Sequence, residues 1–143
     1  MLARKNPLVR DFLGAAIQVH RALGPGLLES TYQACLNYEL TIRRIPFRPQ
    51  VPVPVMYGTV EVKCAYRVDY LIDERLPVEL KSVEIILPVH YTQVLTYMKL
   101  LHVTQGLLVN FNVTRLMDGV KNLLLPAPWS PNDTGELEND VLL

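Results

Sequence analysis

The chain has 143 residues, with 14 basic and 14 acidic side chains, and half of the residues are hydrophobic. This length suits one compact domain, and the hydrophobic fraction is too high for a disordered chain. No run of about eighteen apolar residues is present to cross a membrane, and two cysteines without Cys-x-x-Cys spacing do not form a zinc site. We therefore predict a cytoplasmic single-domain protein with no membrane partner.

The balanced charge is spread unevenly along the chain. Residues 1–67 hold nine basic side chains against four acidic ones, whereas the last seventeen residues hold four acidic side chains and no basic one. A mildly basic body with an acidic tail tolerates a polyanionic partner without requiring one. Ordinary solvated surface charge explains the same distribution equally well.

Two helices are predicted at the start of the chain. Apolar residues at helical spacing follow Asn6-Pro7 and predict a first helix over residues 8–23. Gly24-Pro25-Gly26 then breaks the chain, and a second helix is predicted over residues 27–43.

Three strands are predicted next. Residues 47–57 alternate valine and proline, and because proline removes ladder donors this segment is an edge strand or an extended lead-in. Residues 60–72 alternate strictly and predict a strand, with Val68, Tyr70 and Ile72 on one face and Asp69 and Leu71 on the other. A turn at residues 73–75 leads to a third strand over residues 76–83, antiparallel to the second.

The second half of the chain is predicted to form a helical crossover between two strands. Pro88 opens a helix to about His102, a buried strand follows over residues 106–111, and a short strand follows over residues 120–125. The order of elements predicts a mixed α/β sheet, an antiparallel meander followed by a helical crossover into a further strand. We assign residues 1–125 to this domain and residues 126–143, with three prolines and four acids, to a poorly ordered tail.

Charged residues lie inside strands that should be apolar. Glu79 and Lys81 are two residues apart and project from one face, and the antiparallel turn can bring Asp69 beside them. Two carboxylates near an ammonium group suit a hard divalent cation with oxygen ligands. A solvated sheet face with alternating charges would look the same locally, and a second Glu-x-Lys triplet occurs at residues 61–63.

Two helices carry further polar candidates. Glu29 and Tyr32 are three residues apart on one side of the second helix, although the helix dipole alone also favours a glutamate in the first turn. His90, Gln93 and Tyr97 form one stripe of the crossover helix, which could equally be its solvated face.

These residues resemble a known family when taken together. Gly26-x-x-Glu29-x-x-Tyr32 resembles the signature of the GxxExxY proteins, which are assigned to the PD-(D/E)XK nuclease superfamily. Asp69, Glu79-Leu80-Lys81 and Gln93-x-x-x-Tyr97 follow in the order of the RecB-like superfamily motifs. The resemblance covers about residues 8–125, and the one departure is Val68 in place of a proline before Asp69.

The resemblance implies a restriction-endonuclease-like α/β fold, a mixed central sheet flanked by helices. It implies Mg²⁺ or Mn²⁺ held by Glu29, Asp69, Glu79 and the backbone carbonyl of Leu80. Lys81 would position or activate the attacking water, and Gln93 and Tyr97 would orient the lysine or contact the phosphate backbone. Contacts with nucleic acid are predicted for Tyr32, His90 and Tyr97.

The function predicted from this resemblance is a metal-dependent nuclease that hydrolyses phosphodiester bonds, in DNA rather than RNA. The alternative is a non-catalytic module of the same fold that binds nucleic acid or a protein. A structural domain with an empty polar cleft is a third reading, disfavoured because every motif position is filled. Since one neutral domain offers a small footprint, we also predict a homodimer or a partner subunit that completes the substrate surface.

Overall fold

Three helices and five strands make up the part of the chain that the computed structural model describes, residues 6–126 without the side chains of residues 64 and 65. Their bounds, in chain order, are α1 Pro7–Leu23, α2 Glu29–Ile42, β1 Phe47–Tyr57, β2 Val60–Ile72, β3 Leu76–Lys81, α3 Pro88–Leu100, β4 Gln105–Asn110 and β5 Val120–Leu124. A 3-10 turn, Leu116–Gly119, precedes β5. Residues 127–143 of the predicted tail lie outside the described residues.

The ends of α1 follow from its terminal residues. The Asn6 side chain accepts a hydrogen bond from the Leu8 N–H at 3.0 Å, and Pro7 occupies the first turn, where a missing N–H costs nothing. Gly24 ends the helix at φ 73°, a backbone conformation that favours glycine. The break at Gly24 lets the chain reverse, so that α2 packs against α1.

The five strands form one sheet in the order β1-β2-β3-β4-β5. Neighbouring strands are antiparallel except β3 and β4, which are parallel because α3 carries the chain back across the sheet. The predicted meander and crossover are thus confirmed. The observed helix and strand bounds lie within two residues of those predicted. β1 is the predicted edge strand.

The sheet is covered on both faces. α1 and α2 pack on one face, where Leu36 and Leu40 meet Val78, Leu80 and Val109. α3 packs on the other face, where Val94 and Met98 meet Leu108 and Leu123. Among residues 6–126, no helix combines the length and the hydropathy needed to cross a membrane.

The strict alternation predicted for β2 is wrong at its carboxyl end. Val68 and Leu71 are three residues apart, yet both pack in the cluster around Tyr97, while Tyr70 packs among the residues of α1 and α2. The β1–β2 ladder pairs Pro49 with Tyr70 and Val51 with Val68, but it skips the position between them, which holds Asp69. This local break frees Asp69 from the regular pleat of the strand.

A fork in the sheet follows from the pairing of β2 with β3. The two strands pair only where residues 70–72 meet residues 76–78, next to the turn that joins them. Beyond Val78, β3 continues beside β4 and leaves the backbone of β2. The fork between β2 and β3 therefore opens at Asp69 on one strand and at residues 79–81 on the other.

Candidate active site

Asp69 bridges the fork with its side chain. Its Oδ2 accepts a hydrogen bond from the Leu80 N–H at 2.8 Å, which satisfies an amide that β2 no longer pairs. The N–H and the C=O of one strand residue point to the same side, so the Leu80 carbonyl also faces the fork. The next carbonyl points the other way, because Lys81 accepts from the Phe111 N–H at 2.9 Å.

Glu79 is a buried carboxyl group beside Asp69. Only 4% of its surface is exposed. Burial raises the pKa of Glu79 to about 9, and a hydrogen bond with Asp69 and the charge of Asp69 add to this rise, against the opposing effects of Lys81 and Tyr97. Near neutral pH the Glu79 carboxyl group therefore keeps its proton unless a cation replaces it.

Lys81 shares the face of Glu79. Val78 and Leu80 pack under α1 and α2, so the alternation of the strand turns Glu79 and Lys81 toward the opposite face. The positive charge of Lys81 acts on the Glu79 carboxyl group and opposes the rise of its pKa. The fork thus combines two touching carboxyl groups, an inward-facing carbonyl and an amine.

Comparison with known families agrees with this arrangement. A family model described as the PD-(D/E)XK nuclease superfamily matches residues 6–123. The chain belongs to the PD-(D/E)XK nuclease superfamily. No curated protein and no solved structure matches it. The match spans all three helices, the first four strands and all of β5 except Leu124, and it confirms the predicted restriction-endonuclease-like fold.

The residues at the fork fit the divalent cation that nucleases of this superfamily generally use. A buried carboxyl group beside a second carboxyl group is unfavourable unless a proton or a cation offsets its charge. Mg²⁺ is commonly held by one or two carboxylates, with water and substrate phosphate completing its shell. Asp69, Glu79 and the carbonyl of Leu80 provide such a partial oxygen shell.

The predicted third carboxylate is held apart from this pair. Within residues 6–126, no group of three or more His, Cys, Asp and Glu side chains is placed to hold a metal ion. The Oε1 of Glu29 instead accepts a hydrogen bond from the Ser82 N–H at 3.3 Å, just past the end of β3. In this structure Glu29 therefore does not join the other predicted ligands, which are Asp69, Glu79 and the Leu80 carbonyl.

A hydrogen-bonded loop explains the position of Glu29. The Ser82 hydroxyl donates to the carbonyl of Leu27 at 2.6 Å, so the loop before α2 is fastened to the end of β3. Glu29 is the first residue of α2 and is exposed. It lines a shallow pocket of about 320 Å³ between the loop and Ser82, at the margin of the site.

Tyr32 has a different role from the one predicted. Its side chain is fully buried and stacks on Phe111, with ring centroids 4.4 Å apart. Its hydroxyl donates to the carbonyl of Gly24 at 2.5 Å and accepts from the Leu27 N–H at 3.2 Å. The predicted contact of Tyr32 with nucleic acid is therefore wrong, because the hydroxyl is used to hold the loop before Glu29.

Replacing Tyr32 with phenylalanine should lower the free energy of unfolding by about 1–2 kcal/mol, because the stacking remains while two backbone groups of the loop before α2 lose their partner. Chemical denaturation with urea measures this loss. Tyr38→Phe is the matched control on the same helix, since Tyr38 is 68% exposed and should tolerate the change. Equal stability of the two variants would contradict the role given to the Tyr32 hydroxyl.

Tyr97 and Gln93 support the fork from α3. Tyr97 is buried, and its hydroxyl donates to the carbonyl of Arg67 at 3.1 Å and accepts from the Gln93 amide at 2.9 Å. Burial raises the pKa of Tyr97, and the nearby charge of Glu79 raises it further. The predicted contact of Tyr97 with phosphate is corrected, because the hydroxyl is enclosed beside Glu79.

His90 begins α3 with a capping contact. Its Nδ1 accepts a hydrogen bond from the Leu87 N–H at 3.0 Å, which satisfies an amide at the helix start. The neutral ring then carries its proton on Nε2. The His90 side chain is half-buried at this helix start.

Two glutamines contact Asp69 and were missed from the sequence. The Gln50 amide donates to Oδ1 of Asp69 at 3.1 Å, and the Gln33 amide donates to the backbone carbonyl of Asp69 at 3.5 Å. No motif marks either position. The one available signal for Gln33 is its helical spacing of four residues from Glu29.

Proposed function

We propose that this protein is a metal-dependent nuclease that hydrolyses phosphodiester bonds in DNA. The observation that carries the proposal is the buried Glu79 carboxyl group beside Asp69 at the fork, next to Lys81. Membership of the nuclease superfamily supports the reaction class. Mg²⁺ or Mn²⁺ is the proposed ion, since both accept carboxylate and carbonyl ligands.

Each residue at the fork has a proposed task. Asp69, Glu79 and the Leu80 carbonyl hold the ion, which when bound neutralises phosphate charge and makes a water molecule more acidic. The Lys81 amine orients the attacking water and offsets the negative charge that develops on the phosphate. Gln93 and Tyr97 keep Glu79 in place through the hydrogen bonds of the Tyr97 hydroxyl.

Two residues at the margin of the site, Glu29 and His90, are proposed to contact water and substrate. Glu29 at the end of β3 is proposed to contact the outer water shell of the ion. The free Nε2 of His90 is proposed to donate to a substrate phosphate. A homodimer or a partner subunit that completes the substrate surface stays a prediction, as does membership of the GxxExxY group.

A cleavage assay with an Asp69→Asn variant tests the proposal. The wild-type protein should cut end-labelled DNA in Mg²⁺ or Mn²⁺ and stop when a chelator is added. Asp69→Asn removes one charge of the ion site with little change of shape and should lower the rate by about 10³-fold, as expected for the loss of several kcal/mol of metal-based stabilisation.

Single- and double-stranded DNA and RNA serve as parallel substrates and decide between the two nucleic acids. Asp11→Asn is the matched control, because Asp11 lies exposed on α1, away from the fork. Tight binding of nucleic acid with no cleavage in either metal would support the alternative, a non-catalytic binding module. Metal-independent cleavage that survives in Asp69→Asn would exclude the proposed mechanism.

A further inference from the structure

Gln50 has an unusual backbone conformation for a residue inside a strand. It lies in β1 at φ 51°, in the left-handed region that non-glycine residues rarely occupy. Residues on both sides of it pair regularly with β2, Pro49 with Tyr70 and Val51 with Val68. Between these two pairs, the position opposite Asp69 is skipped. Such a conformation persists where surrounding contacts hold it, and it is often found at functional sites.

The side chain of Gln50 is held by two acceptors. Its Nε2 donates to Oδ1 of Asp69 at 3.1 Å and to Oε1 of Gln33 at 2.8 Å. Gln33 in turn donates its own amide to the backbone carbonyl of Asp69 at 3.5 Å. The orientation of both amides is fixed, because turning either one would place oxygen against oxygen.

The two oxygens of the Asp69 side chain are therefore held from opposite strands. Gln50 of β1 binds Oδ1, and the backbone N–H of Leu80 in β3 binds Oδ2. A carboxylate with one fixed donor can still turn about its terminal bond, whereas a carboxylate with a donor on each oxygen is held in one plane. Without Gln50, Oδ1 of Asp69 would lose its amide donor, and the Leu80 amide on Oδ2 would be left.

We infer that Gln50 is a positioning residue that holds the Asp69 carboxylate in the plane needed to bind the divalent cation, with Gln33 fixing the Gln50 amide. This inference rests on the proposed function, since it takes Asp69 as a ligand of the ion. Groups that orient a metal-binding carboxylate typically contribute 10- to 100-fold to metal affinity. The left-handed backbone at residue 50 is unfavourable for glutamine, and it is the conformation that directs this side chain at Asp69.

The affinity for Mn²⁺, followed by the electron paramagnetic resonance signal of the free ion, tests this inference independently of cleavage. Gln50→Gly removes the amide and suits the left-handed backbone, so it should keep the melting temperature of the metal-free protein. It should nevertheless raise the Mn²⁺ dissociation constant by about 10- to 100-fold. Gln50→Ala removes the same amide and should weaken Mn²⁺ equally while melting at a lower temperature.

A matched control and three outcomes decide the result. The control is Gln18→Ala on the exposed side of α1, because glycine inside a helix would itself destabilise the protein. This variant should bind Mn²⁺ like the wild type. If both the wild type and Gln50→Gly cleave DNA and bind Mn²⁺ with equal affinity, the inference about Gln50 is overturned and the proposed function stands. If Gln50→Gly binds Mn²⁺ more weakly than the wild type but the wild type cleaves no nucleic acid, the inference is supported and the proposed function is overturned. A wild type that binds no Mn²⁺ at millimolar concentration would overturn both.

Discussion

Replacing Lys81 with alanine should lower the cleavage rate by about 10²- to 10³-fold, the range typical for the loss of one preorganised charge at a reacting centre. The fold should persist, because Lys81 is half-buried at the end of β3 and its carbonyl, not its side chain, makes the contact with Phe111. Metal affinity should stay the same or rise slightly, since the variant removes a positive charge from beside the ion site. Cleavage rates at saturating Mg²⁺ and Mn²⁺ titrations measure the two quantities separately.

Lys121→Ala provides the matched control for this experiment. Lys121 is also half-buried in the sheet, but it lies on β5, which is separated from β3 by β4. Its replacement should leave the cleavage rate within about twofold of the wild type, because salt largely screens charges that are two strands apart. Mg²⁺-dependent cleavage that survives at wild-type rate in Lys81→Ala would remove Lys81 from the mechanism.

The part of the site on β3 could be predicted because it depends on local rules. The period-two alternation of a strand places Glu79 and Lys81 on one face whatever the rest of the chain does. A short turn between two strands makes them antiparallel neighbours, which brings Asp69 near that pair. The parallel pairing of β3 with β4 followed in the same way from the crossover helix.

The corrected residues depend on contacts that are distant in sequence. Tyr32 is buried because it stacks on Phe111, 79 positions further along the chain by their numbers, and no local pattern contains that information. Glu29 matches the family motif, but its distance from Asp69 is set by how the loop before α2 attaches to Ser82. A motif gives residue identity and order, and the tertiary structure decides which of its members touch.

Gln50 illustrates a third kind of limit. The alternating valines and prolines of β1 predict extended backbone throughout, and glutamine has no preference for positive φ. The left-handed conformation is held by the hydrogen bonds of Gln50 with Asp69 and Gln33, which come from two other elements. A residue whose conformation contradicts its own local preference is invisible to rules built on those preferences.

The burial of Glu79 links the stability of the metal-free protein to pH. The pKa of Glu79 is about 9 in the folded protein and near 4.5 in an unfolded chain, so the folded state binds the proton more tightly. Its contribution to stability is then fully present below about pH 4.5 and is lost as the pH rises through 9. The metal-free wild type should therefore melt at progressively lower temperature from pH 5 to pH 9.

Glu79→Gln should make the metal-free protein more stable at high pH and the enzyme less active. The amide keeps the shape of the buried group without its charge, so in chelator at pH 9 the variant should be more stable by about 2–4 kcal/mol. That gain corresponds to a melting temperature higher by about 5 °C or more in a protein of this size. The same variant should lose about 10³-fold in cleavage rate, because a ligand of the proposed ion is gone.

Saturating Mg²⁺ distinguishes a metal site from a buried carboxyl group without a ligand. A bound ion would replace the proton of Glu79, so Mg²⁺ should raise the melting temperature of the wild type far more than that of Glu79→Gln. Glu84→Gln, at an exposed position in the loop after β3, should change neither melting temperature nor metal response. A wild type whose melting temperature responds neither to pH between 5 and 9 nor to Mg²⁺ would contradict the electrostatics of the fork, because a carboxyl group buried beside a second one must respond to one or the other.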